Sequence, residues 1–158
     1  MKALVTYFSA SGVTAAVAKR LAEAIGAPVY EIRPAVAYTK ADLNWMNEQS
    51  RSSVEMKDKS CRPELADKDA PVADADVIFV GFTVWWYREP SIVDSFLEAY
   101  DFSGKKIVMF ATSGSSDIGT EATSRAAEIT GTEVGPGKRF SSSASAERLK
   151  TWADQYLD

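Results

Sequence analysis

Residues 9–14, S-A-S-G-V-T, set hydroxyl side chains and one glycine between an apolar run and the start of a helical pattern. A buried strand feeding a helix through such a loop makes an anion site. The first N–H groups of the helix have no partner inside it, and the helix dipole adds partial positive charge there. Ser9, Ser11 and Thr14 can add hydroxyl donors, Gly12 allows close backbone approach, and Val13 opens the helix. No Lys-Ser/Thr follows the glycine, so the loop is not a triphosphate-binding P-loop, and no G-x-G-x-x-G dinucleotide fingerprint is present. A cradle of amides and hydroxyls without a lysine suits a terminal monophosphate, and FMN carries one.

Two further loops have binding chemistry. Residues 83–90, T-V-W-W-Y-R-E-P, place Trp85, Trp86 and Tyr87 side by side where a loop should be polar. Adjacent loop residues cannot all face one core, so at least one aromatic is expected at the surface or over a ligand. The competing reading is that two of them pack beneath neighbouring helices. A planar, electron-poor ring system such as an isoalloxazine is what exposed aromatic faces can hold, at about 1 kcal/mol beyond area burial. Residues 112–119, T-S-G-S-S-D-I-G, can bring backbone amides to a heteroaromatic edge, although S-G-S-S-D is also ordinary turn chemistry.

Composition narrows the chemistry. The chain has 158 residues, a net charge of −4 and no histidine. Lacking histidine, it lacks the commonest general base and the commonest metal ligand, so Ser–His–Asp hydrolysis and zinc chemistry are poor fits and no metal site is expected. An enzyme of this composition would leave the chemistry to a cofactor. The mild charge without a basic stripe argues against nucleic acid. No window is long and apolar enough for a membrane span, and M-K-A-L-V-T-Y enters a strand pattern directly. Cys61 is the sole cysteine, which excludes an internal disulfide and fits a reducing cytoplasm; it reads as an incidental half-buried thiol rather than a reactive one.

The elements that must position these loops alternate. Residues 3–8 read as a buried strand, and 13–25 as a helix with Val13, Val17, Leu21 and Ile25 on one face. Strands are predicted at 29–32, 77–82 and 106–111, with 77–82 the central one and apolar throughout. Helices are predicted at 90–100, 118–130 and 146–157, and a fifth strand near 138–140. The pattern implies one domain over 1–158: an α/β fold with a five-stranded parallel sheet, right-handed crossovers and helices on both faces. An insertion at about 33–75 separates strands two and three and is read as a helix plus an ordered loop over the sheet edge, with 57–69 solvated. In such sheets ligands bind outside the carboxyl ends of the strands, where strand order reverses. That rule selects the same three loops.

Y-F-S-A-S-G-V-T, G-F-T-V-W-W-Y-R-E-P, F-L-E-A-Y-D-F-S-G-K-K-I and F-A-T-S-G-S-S-D-I-G, in this order, resemble the flavodoxin-like family, and in particular its short-chain bacterial branch. The resemblance implies a three-layer, doubly wound sheet of order 2-1-3-4-5, non-covalent FMN and a redox function. Ser9, Ser11, Gly12, Val13 and Thr14 would hold the phosphate. Thr83, Val84, Trp85, Trp86 and Tyr87, with Ser113, Gly114, Ser115, Ser116 and Asp117, would flank the isoalloxazine. Residues 42–58 resemble a block of that branch with no assigned role. The family usually has proline where this chain has Thr83, which removes one source of rigidity from the loop. The region of strand five is shorter and less apolar than the family pattern.

One-electron carriers of the family turn a loop peptide toward the flavin, which a glycine makes inexpensive; residues 83–90 contain none, whereas residues 112–119 do, so a different peptide could serve. The mild acidity also departs from carriers that meet basic partners through strongly negative faces. Both points favour a two-electron, NAD(P)H-dependent flavin or quinone-type oxidoreductase over a flavodoxin that passes single electrons between protein partners. The donor would be NAD(P)H or a redox protein, the acceptor a small molecule or protein, and a homodimer is compatible with family habits. In the insertion, Trp45, Arg51, Ser52 and Ser53 could line a pocket over the flavin; alternatively Trp45 anchors the insertion and Arg51 pairs with Glu55. A receiver domain is a poor fit because Tyr7, Phe8 and Ser9 stand where acidic residues would be needed.

Overall fold

An unbroken apolar run cannot offer a polar face to water, so strands of this kind need cover on both sides. The computed structural model describes residues 1–86, 88–113, 118 and 120–157. Its elements are β1 (Ala3–Tyr7), α1 (Val13–Ile25), β2 (Val29–Glu31), α2 (Arg51–Lys57), β3 (Val77–Thr83), α3 (Ser91–Ala99), β4 (Lys106–Thr112), α4 (Glu121–Thr130), β5 (Glu133–Val134), β6 (Lys138–Phe140) and α5 (Ala146–Asp154). The sheet is parallel, in the order β2-β1-β3-β4-β5, with β6 also paired to β4. Successive side chains alternate between two layers. Leu4, Ile78, Val80, Phe82, Ile107 and Met109 face one core with α3 and α4, through residues such as Ile92, Phe96 and Ala122. Val5, Val77, Phe79, Val108 and Phe110 face the other with α1 and α5, through Val17, Leu21, Leu149 and Trp152. This is the expected doubly wound arrangement.

The departures have local causes. The fifth strand is two pieces laid end to end along β4: Glu133–Val134 beside Lys106 and Ile107, then Lys138–Phe140 beside Phe110, Ala111 and Thr112. Gly135-Pro136-Gly137 separates them; Gly135 N–H still reaches the Ile107 carbonyl at 2.9 Å, but Pro136 has no N–H with which to continue the ladder. α4 starts at Glu121 rather than 118, because Ile118 owes its burial to packing against Gly137 and not to a helical face. α5 ends at Asp154 rather than 157; Tyr156 and Leu157 still pack on the core from a tightened last turn.

The insertion has one α-helix, Arg51–Lys57, and a short 3-10 turn at Val72–Asp74; residues 40–50 form turns, and the Ser50 hydroxyl caps α2 by accepting from Ser53 N–H. Its returning arm pairs antiparallel with the chain leaving β2, through the bridge of Pro34 with Leu65 and bonds between Ala35 and Glu64 and between Ala66 and Arg33. Tyr30 and Arg33 both donate to Asp67, which fastens that arm.

Gly81 is the closest approach inside the sheet. A Cβ there would stand 2.3 Å from the Phe110 ring, itself buried and packed edge-on against Trp152. Gly81→Ala should therefore destabilise the fold by about 1–3 kcal/mol through overpacking, read as a lower denaturant midpoint at unchanged m-value.

Candidate functional site

β3 and β4 end in register, Thr83 opposite Thr112, and both lie on the face covered by α1. The Thr14 hydroxyl, in the first turn of α1, meets Thr83 Oγ1 at 3.0 Å and Thr112 Oγ1 at 2.7 Å. One hydroxyl thus ties the phosphate-type loop to the ends of both central strands. Thr83, standing where the family carries proline, restrains its loop by this bond. Gly12 caps α1 with φ 91°, a left-handed conformation that favours glycine, and no side chain caps the helix. Gly12 N–H donates to Ser9 Oγ at 3.0 Å. Ser11, Gly12 and Val13 are exposed around this helix end. A cleft of about 290 Å³ opens beside it, lined by Phe8, Ser9, Ala10, Arg33 and Tyr38 among others.

The 83–90 loop is a tight turn. Trp85 N–H donates to the Arg88 carbonyl at 2.9 Å and Arg88 N–H returns the bond at 3.1 Å. Trp86 sits in that turn at φ 47°, a costly conformation for a bulky residue, and keeps 43% of its surface exposed. Trp85 instead packs edge-on against Phe8 and Tyr38, with ring centroids 5.8 and 5.6 Å away. Of the two tryptophans, one supports the loop and the other is presented. Arg88 is 2% exposed, and beneath the turn it lies among Glu89, Asp94 and Arg125. Its donors reach the carbonyls of Glu89 and Met56, both at 3.1 Å, so the loop is fastened to α2 as well.

The insertion residues separate. Arg51 pairs with Glu55 at 2.9 Å, donates to the Val36 carbonyl at 2.7 Å and stacks over Tyr38 at 3.9 Å. The ion-pair alternative is what the structure contains. Tyr38 also bonds to Glu55, and burial together with that bond holds its phenol well above the ordinary range. Trp45 is 69% exposed and does not anchor the insertion. Ser52 and Ser53 are buried. Burial pushes the Cys61 thiol up, helped by Glu55 and Asp58, so it is held as an unreactive thiol. Ser113 is half-buried and accepts from Arg139 Nε at 3.1 Å. Tyr87, Gly114, Ser115, Ser116 and Asp117 lie outside the described residues.

A family model described as Flavodoxin matches residues 2–156. The chain belongs to the flavodoxin family. Among solved structures similar to this family member is a protein from Bacteroides uniformis, provisionally assigned as a flavoprotein, with 45% identity over 97% of each chain and a TM-score of 0.90. Another, from Bacteroides eggerthii with the same provisional assignment, shares 38% identity over 99% of this chain and 98% of its own, at a TM-score of 0.91. A flavoprotein from Lactobacillus acidophilus, solved in complex with FMN, has the same fold at 18% identity over 99% of each chain, with a TM-score of 0.72. No curated protein sequence matches. Among the described residues, no helix is long and apolar enough to cross a membrane.

Sequence reasoning missed two features that support the candidate loops. Thr112 was seen only as the start of a loop, although its pairing partner Thr83 was already a candidate. The Arg88, Glu89, Asp94 and Arg125 cluster went unread, although Asp94 amid Ile92, Val93, Phe96 and Leu97 was a visible signal of a buried charge. Thr14→Val keeps the shape of its site but leaves the buried Thr112 hydroxyl without this partner. A loss of about 1–3 kcal/mol in apoprotein unfolding free energy is expected, measured by urea denaturation.

Proposed function

We propose that the crevice at the ends of β1, β3 and β4 binds FMN, and that the protein is a two-electron oxidoreductase drawing on a nicotinamide donor to reduce a quinone-type or similar acceptor. FMN is the cofactor, and the residues present fit it. The α1 end carries no side-chain cap, so the N–H groups of its first turn are available to a phosphate. Because Gly12 N–H is used by Ser9 Oγ and the Thr14 hydroxyl by two threonines, Ser9 contributes its O–H and Thr14 its main-chain N–H. Ser11 and Val13 complete the rim. Trp86, exposed from a strained turn, covers the isoalloxazine, while Trp85, Thr83 and Val84 form the wall behind it. Tyr87, Ser113, Gly114, Ser115, Ser116 and Asp117 are assigned to the same flank by family resemblance. Bound FMN supplies the redox chemistry; the chain binds it, orients its ring and shields one face from water.

The observation that carries the two-electron reading is the construction of the 83–90 turn. It contains no glycine, it is closed by two mutual backbone bonds, and it is fastened from below by a buried arginine. Turning a peptide that carries one of those bonds would break it, and without a glycine any other turned peptide meets its own side chains, so this loop offers no inexpensive way to favour a half-reduced flavin. Anaerobic photoreduction of the FMN-loaded protein should pass from oxidised to fully reduced spectrum without a long-wavelength band at the midpoint. A strong band there would instead assign the protein as a one-electron flavodoxin serving protein partners.

The phosphate assignment is separately testable. Gly12→Ala adds a Cβ at a positive φ, and the ligand-free variant relieves that strain of about 1 kcal/mol by leaving this loop conformation, which phosphate binding must then restore. A rise of about five- to tenfold in the FMN dissociation constant is expected, with a smaller change for riboflavin, which lacks the phosphate. Equal losses for both ligands would remove the assignment.

A further inference from the structure

Beneath the 83–90 turn, two fully buried carboxyl groups depend on one guanidinium. Arg125 Nε donates to Glu89 Oε2 at 3.0 Å, and Arg125 Nη2 donates to Asp94 Oδ2 at 2.6 Å. Arg88 stands 3.9 Å from Glu89 Oε2 and 3.6 Å from Asp94 Oδ2, but its hydrogen bonds go to main-chain carbonyls. Glu89 Oε1 and Asp94 Oδ1 are therefore left buried with no donor among the described groups. Because both accept from neighbouring nitrogens of the same Arg125 guanidinium, the two carboxyl groups lie side by side in one buried site. Two carboxylates cannot hydrogen-bond to each other unless one keeps a proton.

We propose that Glu89 is a positioning residue that retains a proton, donated from Oε1 to Asp94 Oδ1, and that this shared proton holds the 83–90 loop in its FMN-binding shape. The inference rests on the reading of that loop as the isoalloxazine flank. Burial first, then the hydrogen bond and charge of Asp94, push the Glu89 carboxyl up to about 9. The charged groups around the pair are Arg88 from the same loop, Arg125 and Glu121 from α4, and Glu98 from α3 by way of Arg62. Arg62 and Lys59 come from the segment after α2, Arg62 3.8 Å from Asp94 and Lys59 paired with Glu121. α2 presents the Met56 carbonyl, with its Arg51–Glu55 pair turned to Tyr38.

The sign follows from linkage. The folded state keeps the proton over a range in which the unfolded chain has lost it, so the stabilisation is complete below the ordinary glutamate value and is lost as pH rises through about 9. There the Glu89 O–H releases its proton to solvent, Oε1 and Oδ1 repel, and the loop loses its tie to α3. The chain has no histidine, so no imidazole titrates within this window.

The test is binding of oxidised FMN to the apoprotein from about pH 6 to pH 10, for wild type and Glu89→Gln, with apoprotein unfolding followed over the same range. Wild-type affinity should fall at least tenfold between about pH 8 and pH 10. Glu89→Gln, whose amide N–H replaces the proton, should stay within about twofold, and its apoprotein stability should lose the alkaline decline. Parallel profiles for the two proteins would overturn the proposal. Should the variant fail to fold, infrared spectra of wild type decide. A carboxylic-acid carbonyl band at about pH 7 that disappears by about pH 10 is expected, and its absence at pH 7 overturns the shared proton. Failure of the site reading looks different: Gly12→Ala would leave FMN affinity unchanged and Glu89→Gln would match wild type in FMN binding, while the infrared band and the altered unfolding profile persisted. That result would overturn the link to FMN.

Discussion

Because β3 is buried on both faces, moving it by one residue would exchange the side chains of two tightly filled cores. Val77 and Phe79 face α1 and α5, whereas Ile78, Val80 and Phe82 face α3 and α4. The register is therefore fixed strongly, and with it the level at which β3 and β4 stop. Both strands stop at a threonine, and both threonines point to the α1 side. The start of α1 is held against the sheet by hydrogen bonds at the place where no side chain caps its first main-chain donors. Core packing and the placement of the α1 start are here consequences of one register.

The aromatic loop is held by a different device. Its strained, exposed Trp86 stands above a layer of charges that is almost completely withdrawn from water. Burying several charges is costly unless each is matched in position and hydrogen bonding, and removing a single partner is more damaging than replacing the set. Such a layer contributes little to stability beyond what a hydrophobic layer would, but it restricts the arrangements open to the turn above it. The aromatic group of Phe8, Tyr38 and Trp85 supports the same turn from the side, and Tyr38 in turn is held by Arg51 and Glu55 of α2. The insertion thus supports the loop through Tyr38 and α2.

Much of this was legible in the residue order, for reasons that differ by element. β1, β3 and β4 are continuous apolar runs ended by small polar residues, and α1 has one apolar face between Gly12 and Gly26, so local pattern suffices. The three candidate loops followed from topology, since they are the segments at the carboxyl ends of those strands. The split edge was half legible: Lys138–Phe140 was seen, but two residues at Glu133–Val134 carry no period of their own. α4 was begun early because Ile118 looks helical by spacing and is apolar for another reason. The charge layer stayed hidden because its hydrogen bonds join residues 31 and 36 positions apart, a pairing only the folded chain creates. Trp45 misled in the opposite direction, since a large aromatic in a polar insertion reads as an anchor and is in fact exposed.

The two margins of the sheet bear on how other molecules can meet this one. β2 is three residues long, and the chain continuing from it is already paired with the returning arm of the insertion. The opposite margin consists of a two-residue and a three-residue strand interrupted by a proline. Neither side offers a long row of free backbone donors and acceptors onto which a foreign strand could zip. Recognition by strand addition is thereby closed to this fold. Whatever docks here must do so through side chains and surface shape.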